Sequence, residues 1–213
     1  MRLKKNRWIW LFIVLLLVIP MNAAAAAEWL IRPVNPSILD PLRQGGYILY
    51  VRHGEANVGD DMPNLNFDDC RTQRNLSEEG RRQALLFGES LRNLRIPFQF
   101  PVQASPFCRT RESAALAFGE SHVQVDPFWY RIYKLSNQTP PAEQANTLAA
   151  LRTKLETIPP PGTNQVIFAH SFPEGLGLGE IPYLGTVVVK PKGQGNGYDI
   201  VGRIFLDEWA GFQ

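Results

Sequence analysis

The chain has 213 residues, 45% of them hydrophobic, which is enough apolar sequence for one domain with a real core. Its formal charge of +2 is carried by the first segment: without Arg2, Lys4, Lys5 and Arg7, 18 basic residues face 20 acidic ones, a balance near −2. The basic pI of about 8.6 therefore gives little support to a polyanion-binding protein, and no nucleic-acid partner is expected.

The chain opens with a basic stretch, "MRLKKNR", followed by the apolar run "WIWLFIVLLLVI", Pro20 and the small residues of "MNAAAAAE". The apolar run is short of the ~20 residues a spanning helix needs. Residues 1–27 read as a secretory signal cut near Ala25 to Ala27, with an uncleaved anchor as the alternative, which leaves one domain over 28–213. An exported, extracytoplasmic location follows, with no stable membrane partner unless the leader is retained. In an exported chain, Cys70 and Cys108 are a disulfide candidate with a single connectivity, although the sequence does not bring them together.

Residues 28–46, with Pro33, Pro36 and Pro41, read as a lead-in. "YILYV" then has the composition of a strand covered on both faces, and it runs directly into Arg52, His53 and Gly54. The polar stretch 54–75 is long for a connection. Ser77 is suited to cap a helix with Glu78 and Glu79 in its first turn and an apolar stripe of Ala84, Leu85, Phe87, Leu91 and Leu94. "FPVQAS" (100–105) reads as a second strand, 108–118 as a helix and "HVQVD" as a short strand. "AEQANTLAALRTKLETI" is helical and stopped by "PPPG"; "NQVIFAH" is another buried strand ending in histidine. The tail reads as two strands around a glycine-rich turn. Strands alternating with helices predict a three-layer α/β/α sandwich around a mostly parallel sheet.

Ligands of such sheets bind outside the carboxyl ends of the strands. Three strand ends carry unusual residues: Arg52 and His53 after the first, Arg109 after the second through "SPFCRTRES", and His170 after "VIFA". If those strands are neighbours, two arginines and two imidazoles meet in one volume and call for an anion. Arg109 also lies near a helix start, where free backbone N–H groups add to an anion site.

"RHGE" after an apolar strand, "SPFCRTRESA" and the histidine of "VIFAHS" together resemble the histidine phosphatase superfamily, which includes the cofactor-dependent phosphoglycerate mutases and many acid phosphatases. The resemblance runs from about Gly46 to the C-terminus. "DDCRTQRNLSEEGRRQA" and the "VVVKP…GRIFLDEW" ending look like an exported bacterial subgroup. The resemblance implies that His53 is a nucleophile carrying a phosphoryl group, with Arg52, Arg109 and His170 around the phosphoryl oxygens. It implies a phosphorylated small-molecule substrate and neither metal nor organic cofactor, since phosphoryl transfer rests mainly on positioning and charge.

The family's proton-donating carboxylate has no clear counterpart. "VDPFWYRIYKL" offers Asp126 and no glutamate, and Ser171 follows His170. Glu174 is the preferred donor, with Glu55 the alternative; Gly54 and Glu55 are substrate-binding candidates, as are Arg74 and Arg71, each beside an equal reading as a solvated loop charge. His122 reads as structural, and Phe128, Trp129, Tyr130 and Tyr133 as core or pocket wall. The rival to an enzyme is a non-catalytic phosphate-binding protein of the same fold.

Overall fold

The apolar run that ends in Arg52 forms β1 (Ile48–Arg52), a central strand of a six-stranded sheet in a computed structural model describing residues 35–136 and 138–212. The leader assigned to 1–27 lies outside these residues. The other strands are β2 (Val102–Ala104), β3 (Val123–Val125), β4 (Gln165–Ala169), β5 (Thr186–Pro191) and β6 (Tyr198–Ile204), in the order β3-β2-β4-β1-β5-β6. β1 pairs in parallel with β4, β4 with β2 and β2 with β3, whereas β5 is antiparallel to both its neighbours. The sheet is thus mostly parallel, with β5 alone reversed.

Alternation along the strands builds two cores. Leu49 and Val51 of β1 join Val166, Phe168 and Val188 in one, covered by α1 (Leu39–Gln44), α2 (Glu78–Asn93), α3 (Cys108–Phe118) and α6 (Leu206–Gly211). Ile48 and Tyr50 join Ile167, Ala169 and Val187 in the other, under α4 (Phe128–Lys134), α5 (Pro141–Leu155) and the segment around Phe172, Leu178 and Ile181. This is the expected three-layer sandwich. Among the described residues, no helix is long and apolar enough to cross a membrane.

Two local expectations change, and a third gains a secondary structure. Part of the proline-rich lead-in is helical, because Pro41 falls in the first turn of α1, where a missing N–H costs nothing. Leu85 is about half exposed and not part of the α2 stripe; Gly80, Ala84, Phe87, Gly88 and Leu91 form the buried face. Small residues are needed there because a Cβ on Gly88 would stand 2.2 Å from the carbonyl oxygen of Ala117 in α3. The aromatic cluster at 128–134 is the helix α4, whose Trp129 is fully buried.

Cys70 and Cys108 are joined by a disulfide, with Cα atoms 5.8 Å apart. The bridge ties the long 54–75 connection to the first residue of α3.

Candidate active site

β4 lies between β1 and β2, so the three strand ends singled out by composition are side by side. His53 N–H donates to the Ala169 carbonyl at 3.1 Å, pinning the tip of β1 to the end of β4. The Tyr50 hydroxyl donates to the His170 carbonyl at 2.8 Å, and the Ser105 N–H to Phe168 at 2.9 Å. Arg52 and Arg109 sit close enough to act electrostatically on one another and on both imidazoles.

His53 is 3% exposed, and its Nδ1 lies 2.7 Å from the Gly54 carbonyl oxygen. A carbonyl can only accept, so Nδ1 carries the proton and Nε2 keeps its lone pair. His170 is 4% exposed, with Nε2 2.8 Å from the Ser105 hydroxyl. The rings are 5.6 Å apart, nearly edge to face. Burial holds both imidazoles well below their usual pKa; Arg109 and a further push from Arg52 add to this at His53, as do His53 and Arg109 at His170. Both rings are therefore neutral at pH 7.

The two arginines share one feature. Arg109 is 1% exposed, with Nη1 and Nη2 bound to the Asp61 carboxylate at 2.8 and 3.1 Å and Nη1 also donating to the Arg74 carbonyl at 3.0 Å. Arg52 donates from Nη1 to the Ile181 carbonyl at 2.7 Å, and its guanidinium lies over the Tyr183 ring at 4.1 Å. In each, the protein takes terminal nitrogens and leaves Nε–H buried with no partner. Buried N–H groups are nearly always satisfied, so two orphans in one cluster point to a missing acceptor. Burial also draws the Arg52 pKa down, but a guanidinium keeps its proton throughout the physiological range.

The remaining candidates separate. Arg74 acts electrostatically on Arg52, His53 and His170, and its guanidinium has no ion-pair partner among the described residues. Arg71 is exposed and paired with Asp69 at 2.8 Å, apart from the cluster. Gly54 is required by packing. A Cβ there would meet the Gly80 carbonyl oxygen at 2.5 Å, and its N–H donates to Ser113 at 3.0 Å. Glu55 accepts from the Ser77 hydroxyl at 2.7 Å and so belongs to the start of α2. Glu174 is exposed beside a turn closed by the Leu176 N–H on Pro173, with no hydrogen bond or ion pair to the cluster; the assignment as proton donor gains no geometric support. The helix start near Arg109 is partly occupied, since the Cys108 N–H donates to Gln73 at 2.8 Å. Among the described residues, no group of three or more His, Cys, Asp or Glu is placed to hold a metal.

Asp61, Ser105 and Tyr183 are additions to the site expected from sequence, whereas Tyr133, read there as core or pocket wall, does line the site through its hydroxyl. Asp61 accepts from Arg109, from the Arg74 N–H at 2.8 Å and from the Tyr133 hydroxyl at 2.8 Å. Burial pushes its carboxyl up, but these hydrogen bonds and the charge of Arg109 outweigh it and hold the group below the usual carboxylate range. Ser105 was visible as the residue ending the second strand; Asp61 had no comparable mark beside Asp60.

Neutral imidazoles, arginine cations and partnerless N–H donors at adjoining strand ends make a pocket suited to an oxyanion. Residues 48–129 match the family model of the histidine phosphatase superfamily (branch 1). Among solved structures, it is similar to mycobacterial hydrolase 1, at 16% identity and a TM-score of 0.50 over 73% of this chain and 96% of that one. Phosphoglycerate mutase from Bacillus anthracis is 12% identical with a TM-score of 0.49, over 81% of this chain and 99% of that one. Phosphoserine phosphatase from Entamoeba histolytica, in complex with 3-phosphoglyceric acid, is 13% identical with a TM-score of 0.46, over 76% and 98%. No match was found among curated proteins.

Proposed function

We propose that this protein hydrolyses phosphate monoesters of small molecules through a phosphohistidine on His53. The carrying observation is the pair of buried, partnerless Nε–H groups on Arg52 and Arg109 beside an imidazole whose Nδ1 proton is committed to Gly54. In the first step the Nε2 lone pair attacks phosphorus and the P–O ester bond breaks. The leaving alkoxide takes its proton from solvent water, whose hydroxide is neutralised when the second water gives up its proton on hydrolysis. In the second step water attacks, the P–N bond breaks, and inorganic phosphate leaves with His53 neutral again. Arg52, Arg109, Arg74 and His170 bind and orient the phosphoryl oxygens, and Gly54 acts through its carbonyl by holding the His53 tautomer. The basic-then-apolar leader supports an extracytoplasmic site of action, where phosphorylated sugars of the cell envelope are fitting substrates.

A second reading is a phosphate-binding protein of the same fold without catalysis. It is favoured by one observation: Glu174 is exposed, and Asp61 is held as a carboxylate by Arg109.

p-Nitrophenyl phosphate separates the two, because its phenolate leaves without help from an acid. The mature domain should release p-nitrophenol with chelator present, and His53→Ala should abolish release. No release by the unaltered protein, together with thermal protection by phosphate, would establish the binder instead.

A further inference from the structure

We infer that Asp61 is a positioning residue for Arg109 that also trims the charge of the phosphate pocket so that product can leave. This rests on the phosphate-site reading above. Asp61 holds both terminal nitrogens of Arg109, which leaves Nε–H as the donor free to meet an anion. The carboxylate is itself fixed from two other directions, by the Arg74 N–H and the Tyr133 hydroxyl. The backbone that carries it is fixed as well: the Met62 N–H donates to Thr72 at 2.9 Å, and Cys70 on the same connection is bonded to Cys108, the neighbour of Arg109. Packing of the Arg109 guanidinium 4.1 Å from the Phe107 ring centroid completes the seat.

Charge gives the second half of the argument. Arg52, Arg74 and Arg109 are cations, both imidazoles are neutral, and Asp61 is the partly buried carboxylate among them. Glu180 also bears on Arg52, but from an exposed position where water screens it. A balance of two positive charges matches a phosphate dianion; removing the Asp61 charge would leave three, and a product held too firmly.

The test compares the unaltered protein with Asp61→Asn and Asp61→Glu, measuring tungstate and inorganic phosphate affinity by calorimetry and kcat and KM on p-nitrophenyl phosphate. Asp61→Asn keeps an acceptor for Arg109 but loses the charge. It should bind tungstate and phosphate at least tenfold more tightly, with KM falling in step and kcat falling at least tenfold as release slows. Asp61→Glu should restore the unaltered tungstate affinity. Should Asp61→Asn fail to fold, Asp61→Gln, which keeps an amide acceptor for Arg109 without the charge, carries the same expectation. Tungstate affinity and kcat within twofold of the unaltered protein, or weaker tungstate binding, would overturn the role of Asp61 while leaving the site intact. If the unaltered protein binds neither anion, the phosphate site falls, and this inference with it.

Discussion

The Nδ1–H of His53 donates to the carbonyl of Gly54, its own neighbour in the chain, at 2.7 Å. The oxygen that selects the tautomer is thus held by the same residue that packs against Gly80, where an added Cβ would stand 2.5 Å from a carbonyl oxygen. Gly54→Ala should therefore cost ~2 kcal/mol of stability by overpacking and lower kcat by a larger factor than that loss explains. Urea unfolding and steady-state kinetics on folded protein check both. Unchanged kcat would show that the carbonyl does not set the imidazole.

Arg109→Lys should not substitute for arginine. An ammonium can pair with Asp61 but has no second donor to leave free at the Nε position. Loss of one such donor costs ~3 kcal/mol of transition-state stabilisation, or roughly a hundredfold in kcat/KM. Kinetics of the variant, with tungstate inhibition measured in parallel, provide the check.

Stability should fall as the medium becomes mildly acidic. Burial depresses both imidazole pKa values below the usual value near 6.5, so below that pH the unfolded chain binds more protons than the folded one. The contribution is complete above pH 6.5 and is lost as pH drops towards the folded-state values, with a limiting slope of ~1.4 kcal/mol per pH unit for each ring. Urea midpoints between pH 8 and 5 should show this, and His53→Gln should remove one ring's share. A midpoint independent of pH would mean that the rings titrate normally.

The bridge between Cys70 and Cys108 closes a sequence separation of 38 residues. Loop-closure entropy for that length predicts roughly 4 kcal/mol of stabilisation. Alkylation of the oxidised protein should add no mass, and the double serine variant should melt well below it. Alkylation at both positions would dismiss the bridge.

The legible part of this molecule is where chemistry and burial coincide. β1 and β4 announced themselves because an uninterrupted apolar strand that ends in Arg-His or in His has no ordinary structural excuse. α2 was visible from Ser77 and its acidic first turn, yet its true inner face was not: Gly80 and Gly88 carry no hydropathy signal, and only the closeness of Glu55 and of α3 explains them. α4 has seven residues, too few for a helical period to stand out. Asp61 was hidden for another reason. Nothing in "GDDMPN" separates it from Asp60, and the choice is made by contacts from Arg74, Arg109 and Tyr133, residues 13, 48 and 72 positions away. Glu174 shows the converse, since nearness to His170 in the chain brought it no hydrogen bond or ion pair with the cluster.

Strand order has a temporal meaning. β4 fits between β2 and β1, both of which precede it in the chain. A growing polypeptide that has reached α5 holds His53 and Arg109 but has an open slot where their common neighbour belongs. Until Gln165–Ala169 fills that slot, the strand ends that carry His53 and Arg109 have no shared neighbour to hold them in register.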